Sequence, residues 1–186
     1  MIVREVIVSL YGAWRLARLD ASALALFDAS PAGARRSFLA AAVVAPIFVL
    51  VMALLPPEAA AAGGYRWIAA EAIAYATSWV AYPVIAEWLT WQLGCRDKFE
   101  GYLCVYNWAM VLQNAALLPL VVLTSLEVLP PEAQQLLWMA AIALIMGFLW
   151  FVARTALGVG AMTAAGLVVL DQLLSIVIDA IAAAVS

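Results

Sequence analysis

The 186-residue chain has no histidine, little charge and two cysteines. Without histidine there can be no bis-histidine haem, no histidine-ligated chlorophyll, no HExxH zinc site and no His-based triad. No Gly-rich phosphate loop occurs. Only 11% of residues are charged, less than half the proportion of a typical soluble domain. The nine Lys and Arg residues are too scattered for a nucleic-acid surface. Nothing here assembles a catalytic constellation, a metal site or a cofactor site, so the chain is expected not to be an enzyme. Cys95 and Cys104 fall near one membrane face, argued below to be cytoplasmic, where thiols stay reduced. They read as buried or interfacial cysteines, with lipidation of Cys95 as the alternative.

What the sequence has in excess is apolar surface. Hydrophobic residues make up 68% of it, and the mean hydropathy is +1.06. A bilayer core about 30 Å thick requires roughly 20 apolar residues per helix, and several such runs are present. The expected fold is all-α: a polytopic membrane bundle of five transmembrane helices over about 37–55, 67–91, 102–126, 136–157 and 161–184. The stretches "PPEAAAAGG", "GCRDKFEG", "EVLPPEAQQ" and "RTALGVG" separate them. Ser30-Pro31 is a helix-start signal, an N-cap residue followed by proline at the first helical position. Residues 31–186 form the membrane domain, with 1–30 as a separate segment ahead of it.

In that first segment Val3, Ile7, Leu10 and Trp14 recur at helical spacing, while Arg4, Arg15 and Arg18 lie elsewhere on the wheel. Two readings fit: an amphipathic helix on an anionic membrane surface, or a helix packed on the ends of the bundle. Charges interrupt the apolar run and no small-residue cleavage site follows, unlike a signal peptide. Arg35 and Arg36 add to the basic residues expected at this surface. Orientation follows from Lys and Arg near the span ends. With the N-terminus inside, Arg4, Arg15, Arg18, Arg35, Arg36, Arg96, Lys98 and Arg154 are inside, and Arg66 alone is outside. The expectation is a bacterial inner-membrane protein with a cytoplasmic N-terminus and a periplasmic C-terminus.

A repeat is also visible. "WIAAEAIAYATSW" (67–79) aligns without gaps to "WMAAIALIMGFLW" (138–150), pairing Trp67 with Trp138 and Trp79 with Trp150. "LLPPEA" and "VLPPEA" lie upstream of the two copies. Spans 1–2 and 3–4 therefore read as two copies of a helical hairpin, related by an axis along the membrane normal. Pro46, Pro83 and Pro119 place one helix breaker in each of the first three spans.

The intramembrane polar residues divide by depth. Glu71 lies roughly 6 Å inside one boundary, at about 1.5 Å per residue from Trp67. Glu87 is as shallow at the other end. They are about 160° apart on the wheel, so they form no pair and read as interfacial acids. Asp179 joins them near the outer surface. Asp171 is roughly 15 Å deep. An ionised aspartate there costs at least ~2.5–3.5 kcal/mol, so it must be protonated, hydrogen-bonded or turned toward a wet cavity. Ser175 lies one turn on. Ser78 is at similar depth on the second span, and Gln113, Asn114 and Asn107 lie on the third. A midplane polar network of Asp171, Ser78, Gln113, Asn114, Asn107 and Ser175 is expected. It serves either as glue between helices, at about 0.6 kcal/mol per hydrogen bond, or as a ligand or proton site.

The five-span plan, "FEGYLCVYNWAMVL" opening the third span and "WFVARTALGVGAMTAAGLVVL" (150–170) resemble the bacterial branch of the Yip1 family. The eukaryotic-type DLYGP motif is absent; "SLYGAW" stands at 9–14. The resemblance implies a membrane-organising or partner-binding protein. The function expected is a non-catalytic membrane scaffold or accessory subunit, binding the lipid bilayer and other integral membrane proteins or a further copy of itself. The alternative is a small oligomeric carrier or channel with Asp171 as its midplane proton or cation site.

Overall fold

In a computed structural model of the protein, residues 2–61 and 65–186 are described. Met1, which opens the 1–30 segment, and residues 62–64, the end of the "PPEAAAAGG" turn, lie outside them. The described residues are overwhelmingly helical. In chain order the helices are α1 (Ile2–Ala17), α2 (Pro31–Ser37), α3 (Leu39–Leu54), the short α4 (Glu58–Ala61), α5 (Arg66–Gln92), α6 (Phe99–Ser125), α7 (Pro131–Leu157) and α8 (Ala161–Val185). Single 3-10 segments, Ala21–Leu26 and Arg96–Lys98, follow α1 and precede α6.

Five helical stretches are long and apolar enough to cross a membrane: Pro31–Leu54, Arg66–Gln92, Arg96–Ser125, Pro131–Leu157 and Ala161–Val185. A 27-residue helix extends about 40 Å at 1.5 Å per residue, more than the ~30 Å hydrocarbon core. Their outward faces carry exposed apolar side chains such as Ile73, Val80, Val84, Leu144 and Ile176. Such a surface would aggregate in water, but lipid solvates it. The chain is an integral membrane protein on these grounds.

Local chemistry sets the helix ends. The Ser30 hydroxyl accepts the Gly33 N–H at 3.0 Å, with Pro31 at the first turn of α2. Asp28 closes the same corner by accepting the Ser30 N–H at 3.0 Å. Gly33 passes so near the Asp28 carbonyl that a Cβ there would collide with its oxygen. Phe38 joins α2 to α3, so the first span starts at Pro31, one turn and a half before the expected boundary. Gly158 ends α7 in the left-handed conformation at φ +66°, and Lys98 Nζ donates to the last-turn carbonyl of Leu157 at 3.0 Å. Pro46, Pro83 and Pro119 remain inside continuous helices. Each removes the usual N–H donor to the carbonyl four residues earlier.

The bundle is organised around the first half of α6. Every residue from Tyr102 to Ala109 is buried, because α1, α2, α3 and α7 all pack against α6. Trp108, Leu16, Val105, Val152 and Leu157 are the largest apolar side chains sealed in this region. By contrast, α5 packs mainly along α8. At the far end of the bundle Arg66 Nη2 reaches the Val185 carbonyl at 3.0 Å, which fixes α5 and α8 as antiparallel neighbours in register.

Candidate functional site: an acidic cavity inside the bundle

Toward the Arg66 end, the helices part and leave a cavity of about 320 Å3. It is lined from α3 by Val44 and Phe48, from α5 by Glu71, Tyr75, Ser78, Trp79 and Tyr82, and from α6 by Tyr106, Gln113 and Asn114. From α8 come Asp171, Gln172, Ser175 and Asp179. Three carboxylates face it, and no Lys or Arg lines it among the described residues.

The register of α5 against α8 puts the acids on two levels. Glu71 is five residues from Arg66, and Asp179 is six from Val185. They stand at the same height near the mouth. Asp171 is eight residues deeper, about 12 Å along α8 at 1.5 Å per residue. Its carboxylate accepts a hydrogen bond from the Tyr106 hydroxyl at 2.9 Å. Tyr106 stacks near Tyr82, with ring centroids 4.8 Å apart, and the Tyr82 and Tyr102 hydroxyls share a 2.5 Å hydrogen bond. All three tyrosines are buried; Tyr82 and Tyr106 line the floor of the cavity, and Tyr102 backs them through its bond to Tyr82. Between the two acid levels the wall is aromatic. Phe48 and Tyr75 lie 4.6 Å apart, and Tyr75 meets Trp79 edge-on at 6.2 Å. The Tyr75 hydroxyl donates across to the Ala41 carbonyl of α3 at 2.6 Å.

The six residues expected to form a midplane network are distributed differently. Asp171, Ser78, Gln113, Asn114 and Ser175 line one cavity, but they do not bond to one another. Ser78 donates to the Tyr75 carbonyl at 2.8 Å and Asn114 to the Met110 carbonyl at 2.8 Å, both within their own helices. Gln113 Oε1 is buried and has no partner among the described residues. Long tyrosine side chains bridge the space between α3, α6 and the α5–α8 pair, whereas the shorter Ser78 and Asn114 turn back on their own helices. Asn107 lies apart. It is fully buried nearer α1, where its amide donates to Ser37 Oγ at 2.8 Å and Ser37 in turn donates to the Ala34 carbonyl at 2.7 Å. Asn107 and Asn114 share a face of α6 but meet different surroundings, tight packing at one depth and a cavity at the other.

Of the expected interfacial acids, Glu87 lies at the α5–α6 turn and accepts Arg96 Nη2 at 2.6 Å, while Arg96 Nη1 also holds Glu100 at 2.8 Å. Glu71 and Asp179 instead sit at the cavity mouth. Of the five basic residues expected at the membrane surface, Arg4, Arg18 and Arg35 are exposed. Arg15 pairs with Asp20 at 2.5 Å, and Arg36 bridges Glu5 at 2.9 Å and Asp28 at 2.6 Å. The Asp20 and Asp28 carboxyls are held below the usual carboxylate range by hydrogen bonds, from Ser22 and Arg15 in one case and from Ser30 and Arg36 in the other.

Sequence reasoning missed the partner of Asp171. Tyr106 stands on the cavity floor and reaches the Asp171 carboxylate through the length of its ring. The signal was the tyrosine spacing itself: Tyr102 and Tyr106 lie one turn apart on α6, and Tyr75 and Tyr82 lie two turns apart on α5.

No family model, curated protein or solved structure matches this chain. The resemblance to the Yip1 family therefore rests on the sequence stretches alone. What the chain can do has to be argued from the cavity. It presents acceptors and negative charge, deep among apolar helices, with aromatic faces between them.

Proposed function

We propose that this protein is a small non-catalytic membrane protein that binds a cation inside the bilayer and, as an oligomer, carries it across, with Asp171 as the deep binding group. One observation supports this above all: a cavity with three carboxylates and no basic residue in its described lining. Uncompensated acids within a membrane are costly, and those that persist mark ion or substrate paths. A cation supplies the missing countercharge. Alternating access would require the tyrosine floor to open, and five spans leave little room for a private path, so neighbouring copies would complete it. In this reading the α1 end faces the cytoplasm of a bacterial inner membrane, in line with the eight Lys and Arg residues at that end.

The test is flux. Purified protein in liposomes should move protons or small cations down an imposed gradient, and Asp171→Asn should abolish the flux while leaving the protein folded. Intact flux in that variant, with normal folding, would rule Asp171 out.

A second reading, the scaffold, is favoured by α1. This helix buries Ser9, Ala13 and Leu16 against the bundle and leaves Val3, Ile7, Tyr11 and Trp14 exposed on the opposite side. Its two faces accommodate both sequence readings at once: one packs on the bundle ends, and the other would lie in the headgroup region of the bilayer or dock a partner. The hairpin repeat stays with this reading on its sequence matches, although α5 takes α8 as its main neighbour whereas α7 packs on α6 as well as α8. A stoichiometric partner recovered from native membranes in mild detergent, lost on Ile7→Glu, would favour the scaffold.

A further inference from the structure

The cavity can be read further, on the assumption that it binds cations at all. Its charge is one-sided, although the Gln113, Gln172 and Ser175 side chains also offer donors to it. Glu71, Asp171 and Asp179 are acceptors when ionised, and Gln113 Oε1 is a buried acceptor without a partner among the described residues. The hydroxyls of Tyr75 and Ser78 and the Asn114 amide have already donated elsewhere. A ligand that complements this wall must donate hydrogen bonds and carry positive charge.

Size argues against a bare metal ion. Among the described residues no group of three His, Cys, Asp or Glu converges closely enough to hold one. Hard cations need six or more oxygens at about 2.0–2.6 Å. The cavity of about 320 Å3 instead falls at the small end of the range for organic ligands, roughly 300–1,000 Å3.

The arrangement of charge narrows the class. The acids occupy two levels about 12 Å apart along α8, and Phe48, Tyr75 and Trp79 lie between them. A compact cation would satisfy one level and leave the other uncompensated. An extended chain with an ammonium at each end would satisfy both. Its methylenes would run along the aromatic wall, and either ammonium could also lie over a ring face. We infer that the ligand is a linear aliphatic diamine or polyamine, bound with one ammonium at Asp171 and another at Glu71 and Asp179. Charge-assisted hydrogen bonds of about 2.8 Å at each end set the separation of the terminal nitrogens between about 6 and 12 Å.

Four probes of the purified, detergent-solubilised full chain test this by calorimetry. Hexamethylenediamine should bind. Hexylamine, with one ammonium, and ethylenediamine, too short to span the levels, should each bind at least tenfold more weakly. Hexanediol, uncharged, should not bind measurably. Asp171→Asn and the double variant Glu71→Gln/Asp179→Asn should each reduce hexamethylenediamine to the affinity of hexylamine. Tyr75→Phe, which keeps the ring, should bind as the wild type does, and Tyr75→Leu should bind more weakly.

Equal affinity for hexamethylenediamine and hexylamine would overturn the two-level ligand and leave cation binding standing. Sodium or proton flux that depends on Asp171, without amine binding, would do the same. If neither amines nor inorganic cations bind or move, the cavity's role in cation binding falls with it. Size-exclusion profiles of the variants separate loss of binding from loss of fold.

Discussion

The two halves of α6 carry the same kinds of residue and meet opposite fates. From Tyr102 to Ala109 the helix is buried, with Tyr106 at the cavity floor, and the Asn107 amide N–H donates to Ser37 while its oxygen has no partner among the described residues. From Gln113 onward the same face opens on a cavity, and neither Gln113 nor Asn114 bonds to another helix. The difference originates outside α6. Around the first half, α1 and α2 fold back against it and fill the space beside α3 and α7. Around the second half no helix among the described residues packs on α6 as α1 and α2 do. A polar group on a membrane helix therefore acts as glue or as a site wall according to what its neighbours leave open, not according to its own type or its position on the wheel.

The contrast is broken most severely by truncation. Trp108→Ala should cost about 3–5 kcal/mol, the range for removing a large aromatic from a packed core, and appear as a large drop in melting temperature in detergent. Gln113→Leu at the cavity wall should be neutral or stabilising, because it removes a buried acceptor that has no partner among the described residues. Equal losses for the two would mean that the cavity half is as tightly packed as the other.

A middle-sized effect separates Asp171 from its donor. Tyr106→Phe leaves the Asp171 carboxylate without the hydrogen bond that Tyr106 donates, at a cost of about 1–3 kcal/mol. Asp171→Leu removes acceptor and charge together but leaves the buried Tyr106 hydroxyl without its acceptor, so it should cost about as much. The double variant should then be no worse than Asp171→Leu alone, since the phenol is already without its acceptor. Additive losses in such a cycle would show that the two side chains act independently.

Much of this was legible in the sequence, and the limits have physical causes. The apolar runs and their charged punctuation predicted the long helices, because a span has to satisfy its own backbone and its length is fixed by the bilayer. Ser30-Pro31 marked its corner, because capping is a local matter. The depth of Asp171 could be counted off at a fixed rise. What could not be counted was the gap between helices. Wheel angles place Asn107 and Asn114 together, yet only the packing of α1 and α2 decides that one is sealed and the other faces a cavity. Likewise Glu71 resembled an anchor for lipid until α8 placed Asp179 at the same height. The partner Tyr106 was hidden because depth was reckoned at the backbone, whereas a tyrosine acts at the end of its ring.

The smallest effect sharpens the packed end. Asp28 ties the chain ahead of α2 to the ion-paired corner, accepting Ser30 N–H and Arg36 Nη2. Its carboxyl is held below its ordinary value, first by the hydrogen bonds from Ser30 and then by Arg36. A depressed folded-state value means that the contribution to stability is fully present above the ordinary carboxylate range. It is lost as the pH falls through the folded-state value. Because the side chain is nearly half exposed, solvent screening keeps this below about 1 kcal/mol. Asp28→Asn should therefore lower the melting temperature slightly at pH 7 and make no difference once the medium is acid enough to protonate the wild-type carboxyl. Added salt should shrink the gap at pH 7, since part of it is an exposed ion pair. A gap that persists unchanged into strong acid would mean that the corner depends on the two oxygens of the carboxyl as hydrogen-bond acceptors and not on its charge.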